Sequence, residues 1–436
     1  MNKPSRPGPL ALALESRLPG LVELWRAERC LRRESGGRRP AQAARLSPAE
    51  LEAAGAALLR LQRGLTGDRG LAGAPYMEEA DLLGAYLLYY WPVSYLETAL
   101  ALATLGRRPA AARVLDLGSG PGPAAAAFAD SGADELVLVD GSGRALELAA
   151  RLLAPAGAST HEAGRPSLTT RRLDLQASPD LPDGPFDAVV IGHAVNELWK
   201  GQADRLERRE ALLAAALDRL APAGFLLVLE PALLLTSREA LTLRDRLASR
   251  GAPVLGPCLR QGPCPALRAG PGQTCHGEYP WSPPEPVAGL AARAGLDRVS
   301  VKATWFALGK PGAGGGRVGA LGDTAAAAAP PPEAAAPDAG GPGFPEALVV
   351  SEPMLNKAGR IRYQVCGAEG RRAVSAAKDD EKARAAGFFG LGRYDRIRLS
   401  RAEPRGAGPE VAAGEARPLG FGPGTVLDIL DRAPTI

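Results

Sequence analysis

Val114-Leu115-Asp116-Leu117-Gly118-Ser119-Gly120-Pro121-Gly122 is the stretch whose residue types and spacing point most directly to chemistry. The apolar residues before the glycines predict a strand, and the Ala-rich run after them predicts a helix. Gly118, Gly120 and Gly122 allow a tight turn and a close approach of backbone to ligand. Asp116 stands just before them, where a carboxylate repels pyrophosphate and suits a cation such as an amino-acid ammonium. Asp140 ends the run ELVLVD, 24 residues after Asp116. A carboxylate at the tip of a second strand accepts the hydroxyls of a ribose. Asp174 closes a third strand-like run, RRLDL, where an adenine amino group would lie.

In that order, these residues resemble the S-adenosylmethionine-dependent methyltransferases of the Rossmann-like class. NAD is the rival ligand, and a fold that has lost its ligand is the bland alternative. A fourth strand, FDAVVIG, leads into His193-Ala194-Val195-Asn196-Glu197. This position abuts the methyl donor in such folds. His193, Asn196 and Glu197 are therefore the catalytic candidates, with His193 able to move protons near neutrality. Loop capping is the structural alternative for all three. There is no N-P-P-Y signature of amino-group methylation, and Glu230-Pro231 reads as a turn.

Cysteines form the second constellation. Cys258, Cys264 and Cys275 sit in one Gly/Pro-rich stretch, and Cys366 lies far downstream. Four thiolates suit tetrahedral zinc or a [4Fe–4S] cluster. The spacing is not that of the common zinc ribbons, four unrelated buried thiols remain the bland alternative, and His276 is a further possible ligand. Cys30 has no obvious partner.

The elements that must position these residues follow from periodicity. Residues 1–110 read as mostly helical, with Ser47 as an N-cap and Pro48 in the first turn of one helix. A break is expected near Pro92. Residues 111–310 alternate β-branched runs with Ala/Leu-rich helical stretches, which predicts an α/β domain with a parallel sheet covered on both faces, and the cysteine stretch within it is read as a metal-binding insert at 256–280. Residues 311–345 read as a flexible linker. Residues 346–436 form a β-rich basic segment that starts with a hairpin turning at Lys357–Gly359 and supplies Cys366. Lys357–Arg401 holds twelve Lys/Arg against five Asp/Glu, although the whole chain of 436 residues carries only +4. Arg360, Arg362, Arg371, Arg372, Arg393, Arg396 and Arg398 are expected to form a phosphate-binding face. Arg26–Arg45 is a second basic stretch, read as a solvated surface or an anion contact. A membrane span is excluded, because the richest apolar stretch, Leu82–Leu105, is interrupted by Pro92 and Glu97. No secretory signal is expected, since the first twenty residues lack a sustained apolar core.

AYLLYYWPVSYLETALALATL, VLDLGSGPG, HAVNEL, the cysteine stretch and the late Cys366 together resemble the methyltransferase-like family associated with the small ribosomal subunit, whose members are mitochondrial assembly factors and bacterial relatives. The resemblance implies a Rossmann-like class I methyltransferase sheet that binds S-adenosylmethionine through Asp116, Gly118, Gly120, Gly122, Asp140 and Asp174. It implies a [4Fe–4S] cluster on Cys258, Cys264, Cys275 and Cys366, with zinc as the alternative. It also implies small-subunit rRNA or a pre-ribosomal particle as partner, with no DNA, in a bacterial cytoplasm or a mitochondrial matrix. Cys258-Leu259-Arg260 departs from the C-P-H usual at the first cysteine. Methyl transfer to rRNA and a non-catalytic assembly role are both compatible with the resemblance. A small-molecule or protein methyltransferase with zinc is the remaining alternative.

Overall fold

The structure, a computed structural model, describes residues 8–29, 45–106, 112–153, 166–177, 180–312, 343–405 and 417–436. Cys30, most of the Arg26–Arg45 stretch and nearly all of 311–345 lie outside the described residues.

The first sheet is built from β1 (Ala112–Leu117), β2 (Ala133–Asp140), β3 (Ser167–Arg172), β4 (Phe186–Gly192), β5 (Leu220–Pro231), β6 (Val254–Gly256), β7 (Gly277–Pro280) and β8 (Ser300–Gly309). Its order is β3-β2-β1-β4-β5-β8-β6, with β7 also on β8. The first five strands are parallel. The apolar runs of β1, β2, β4 and β5 follow from burial on both faces, whereas the edge strand β3 is polar and mostly exposed. Val114, Leu136, Ala188 and Leu227 face one core with the helices Pro9–Glu28, Pro48–Gln62, Trp91–Leu105 and Pro123–Asp130. Leu115, Val137, Val189 and Leu226 face the other, against the helices Arg205–Asp218 and Leu234–Ser249. The fold is therefore an α/β, Rossmann-like sheet, and its strand order reverses between β1 and β4.

One edge departs from an all-parallel sheet. β8 runs antiparallel to β5, and β6 and β7 run antiparallel to β8. Strand–helix alternation in a sequence does not encode direction, and here the chain returns through the cysteine-bearing insert before re-entering the sheet. The expected break at Pro92 is also absent. Pro92 sits in the first turn of Trp91–Leu105, where no backbone donor is needed. The irregularity falls earlier, as a widened π-turn over Tyr86–Tyr90. Ser47 caps Pro48–Gln62 in a reciprocal box with Glu50.

A second sheet comprises β9 (Phe344–Val349), β10 (Met354–Leu355), β11 (Arg360–Gly367), β12 (Gly370–Ala377), β13 (Arg396–Ser400), β14 (Glu403–Pro404), β15 (Leu419–Gly420) and β16 (Val426–Asp431). β10 and β11 are antiparallel, and the Asn356 side chain closes their turn by accepting from the Ala358 and Arg360 amides. Phe344, Tyr363, Val374, Phe388, Leu399 and Phe421 give this sheet its own core. It is tied to the first by the Arg393 guanidinium, which donates to the His276 carbonyl at 3.3 Å and the Val350 carbonyl at 2.9 Å. Tyr394 adds ring contacts with Tyr279 and Trp305.

Candidate functional site

Between β1 and the helix Pro123–Asp130, Gly118, Gly120 and Gly122 all take left-handed φ, at +70°, +51° and +75°. A side chain at Gly118 is excluded twice over, because its Cβ would also lie 2.5 Å from the Ala194 Cβ. The Gly118 and Ser119 amides donate to the Val139 carbonyl, which pins the loop to β2. Asp140, at the end of β2, accepts from the Gly120 amide at 2.7 Å and the Ser142 amide at 2.8 Å. Burial raises its pKa, and those two backbone donors act against the rise.

Above the carboxyl ends of β1, β2 and β4 lies a cavity of about 700 Å3. This is where ligands bind in open α/β sheets. Gly118, Gly120, Asp140, Asp174, His193, Asn196 and Glu197 line it. Asp116 and Gly122 are not on its wall. Asp116 is 1% exposed beneath the loop, where Oδ2 accepts from the Ala125 amide and Oδ1 has no partner. Burial pushes its pKa to about 8, so the carboxyl is mostly protonated at neutral pH and braces the loop onto the following helix. Gly122 lets the chain pass Ala149 and Leu153. Asp174 lies two residues beyond the end of β3 and accepts from the Gln176 amide.

The N-terminal helices close the other side of the cavity with Tyr76, Met77, Tyr86, Tyr90 and Glu97. The π-turn brings the Tyr86 and Tyr90 rings to 5.9 Å in a stacked pair. Glu97 meets His193, with Glu97 Oε2 2.5 Å from His193 Nε2. His193 is held at φ +59°, uncommon for a residue with a side chain. Burial opposes charge on its imidazole, but Glu97 outweighs that, with help from Glu230 and Glu197, and the pKa ends above its ordinary value. Asn196 donates to the His193 carbonyl and accepts from Arg69 at 2.6 Å. Glu197 accepts from the Gly73 amide at 3.2 Å, and burial pushes its carboxyl to about 7. Glu230, expected to be part of a turn, is 1% exposed. One of its oxygens accepts from the Asn196 amide, the other has no partner, and burial moves it to about 7. Glu97, Glu230 and Arg69 are functional candidates that sequence reasoning passed over. For Glu97 a signal existed: it is a lone carboxylate in the richest apolar stretch.

Cys258, Cys264, Cys275 and Cys366 are all free and line one small cavity of about 40 Å3. Three come from the insert and the fourth from β11, where it is registered opposite Arg371. The buried Arg244 and its half-buried partner Asp245 shape the loop: Arg244 donates to the Gly262 carbonyl at 2.6 Å, and Asp245 accepts from the Cys264 amide at 2.8 Å. Arg260 donates to the Ala368 carbonyl and so closes insert onto second sheet. Burial pushes the thiols up, Cys258 to about 11 and Cys366 to about 12. Among the described residues, no group of three His, Cys, Asp or Glu side chains is arranged to hold a single metal ion. His276 is absent from the cavity wall, and burial together with Arg393 lowers its pKa to about 4.

The seven arginines do not form one free face. Arg393 is 13% exposed and spans the two sheets between Glu278 and Glu352. Arg396 pairs with Glu346, and Arg371 lines the cysteine cavity. Charge counting along a sequence does not register partners supplied from other strands.

Residues 84–281 match the family model described as the mitochondrial small ribosomal subunit Rsm22. No curated protein sequence matches the chain. Among solved structures, an S-adenosylmethionine-dependent methyltransferase from Mesorhizobium loti is 23% identical over 30% of this chain and 51% of its own, with a TM-score of 0.24. The chain thus spans about half the length of that structure. A ribosomal protein L11 methylase from Lactobacillus delbrueckii is 22% identical over 36% and 68%, with a TM-score of 0.26. The glycopeptide N-methyltransferase MtfA, complexed with sinefungin, is 27% identical over 31% and 53%, with a TM-score of 0.24. Among the described residues, no helix is long and apolar enough to cross a membrane. Over residues 84–281 the chain is similar to the Rsm22 family of the mitochondrial small ribosomal subunit, and that segment carries the glycine loop, His193 and three of the four clustered cysteines.

Proposed function

We propose that this chain binds S-adenosylmethionine and acts on the small ribosomal subunit or its rRNA. One observation carries the reading: a 700 Å3 cavity at the switch point of the sheet, walled by the glycine loop and Asp140. That volume suits a nucleoside-sized ligand with room for an acceptor. Gly118 and Gly120 would lie against the donor, Asp140 would accept its ribose hydroxyls, and Asp174 would meet the adenine. Acidic side chains on the wall, Glu78, Glu97, Asp140, Asp174 and Glu197, outnumber the cations Arg172, Arg298 and Lys302, which favours a cationic donor. The ribosomal partner rests on the family match over residues 84–281. Crosslinking the protein to RNA in cells and sequencing the attached fragments tests it: enrichment of small-subunit rRNA is expected, and a profile without it would overturn the assignment.

The cysteine cavity would suit a centre held by four thiolates, an iron–sulfur cluster or, as the alternative, zinc. Four thiols around one pocket, with no carboxylate or imidazole on its wall, match the donor set of a [4Fe–4S] centre. Cys258, Cys264, Cys275 and Cys366 would hold it, and it would supply a covalent tie between insert and second sheet. Arg244, Arg260 and Arg371 would offset the charge of the thiolates.

A further inference from the structure

We infer that His193, oriented by Glu97, is the proton acceptor for methyl transfer to a hydroxyl oxygen, which on an RNA substrate is a ribose 2′-hydroxyl. The inference deepens the proposed function and rests on its claim that the cavity binds a sulfonium methyl donor. It begins from the cavity wall, where His193 keeps 22% side-chain exposure. Its Nε2 is committed to the Glu97 carboxylate at 2.5 Å, while Nδ1 has no hydrogen-bond partner among the described residues. A carboxylate that accepts a hydrogen bond from Nε2–H fixes the tautomer and leaves the lone pair on Nδ1. Glu97 is itself nearly inaccessible, at 6% exposure, so it acts through His193 as a positioning residue.

Two further features show that the pair is built rather than incidental. His193 is held with a left-handed backbone, and strain of this kind persists only where the surroundings impose it. Asn196 donates to the His193 carbonyl while Arg69 and Arg209 hold Asn196 in turn, through its side chain and its carbonyl. The loop is thus anchored from the N-terminal region and from the helix Arg205–Asp218.

A base on the wall points to an acceptor that must lose a proton as it is methylated, as a hydroxyl does. A neutral amine attacks through a free lone pair and needs no base before the bond forms. A hydroxyl keeps its proton until attack and needs an acceptor within reach. In the balanced step, the hydroxyl proton passes to His193 Nδ1 and the oxygen lone pair forms the new O–CH3 bond. The old C–S bond breaks, and its electron pair neutralises the sulfonium. The products are a methyl ether, the neutral thioether and an imidazolium paired with Glu97. The groups facing His193 are Glu97 from the helix Trp91–Leu105, Glu230 from the end of β5 and Glu197 from its own loop. All three are acidic and favour that imidazolium.

The chain has three histidines, so the His193 ring can be followed by NMR in the ligand-free protein. Its pKa should lie above 6.5 and fall in Glu97→Gln. Transfer of labelled methyl from S-adenosylmethionine to a small-subunit rRNA transcript should place the label on ribose oxygen. The rate should rise with pH through the His193 pKa, and the rise should move to lower pH in Glu97→Gln. His193→Asn should slow transfer by about 10²–10⁴-fold while calorimetry shows retained donor binding, which separates chemistry from folding. Label on a base nitrogen, wild-type rates in His193→Asn, or no transfer by protein that binds the donor would each overturn the inference. Failure to bind the donor would overturn the proposed function beneath it.

Discussion

Gly118→Ala tests whether the glycine loop and the histidine loop are built against each other. Gly118 has φ +70°, and a Cβ there falls 2.5 Å from the Ala194 Cβ. The left-handed backbone costs an L-residue about 1–2 kcal/mol. Overpacking adds about 1–3 kcal/mol, so the variant should lose roughly 2–5 kcal/mol in all. Ala194→Gly removes the contact and leaves the backbone cost. The double variant should therefore be about 1–3 kcal/mol more stable than the sum of the two single changes predicts. Urea unfolding of the four proteins measures this coupling, and S-adenosylmethionine titration follows the site. Donor affinity should fall in Gly118→Ala and recover in the double variant. A neutral Gly118→Ala, or zero coupling with Ala194→Gly, would refute the packing argument.

Asp116→Asn should change how stability depends on pH. Burial raises the folded carboxyl from 3.8 to about 8, so its contribution is full below the lower value and is lost as pH rises toward the upper one. The variant should gain on the wild type across that window, by at most ~1.4 kcal/mol per pH unit, and parallel urea midpoints at pH 5 and pH 8 would contradict this. Protein purified without oxygen should carry about four iron and four sulfide. Cys258, Cys264, Cys275 or Cys366→Ser should each lower that content and Cys30→Ser should not; stoichiometric zinc without iron would defeat the cluster. Affinity for a small-subunit rRNA fragment should fall steeply with salt, because phosphate contacts release counterions, and should be weaker in Cys366→Ser; a flat salt dependence with equal affinities would remove the second sheet from RNA binding.

The sheet and the glycine loop were legible because local rules specify them: apolar strands, a glycine turn, and a carboxylate at the next strand end. The Glu97–His193 pair was half legible. His193 follows a strand, but its partner lies 96 residues earlier in a helix, and no local pattern joins the two. Asp116 belongs to the expected loop but lies beneath it rather than on the cavity wall, because a strand-end residue can point under a loop as readily as into a cavity. Glu230 looked like a turn because burial at the centre of a sheet is a property of its neighbours. The arginines of the second sheet can be counted in the sequence, but Arg393 and Arg396 find Glu278, Glu352 and Glu346 only once the strands are assembled.

Calorimetric titration of S-adenosylmethionine into wild-type protein and Asp140→Ala tests the central claim most directly. Asp140 presents a charged acceptor at the cavity wall, held by the Gly120 and Ser142 amides. Hydrogen bonds to a charged group are worth about 1.5–3 kcal/mol, which corresponds to a loss of roughly 10- to 150-fold in affinity. The account predicts one donor per wild-type chain and a weakening of that size in the variant. No binding by the wild type, or equal affinity in the two proteins, would contradict it.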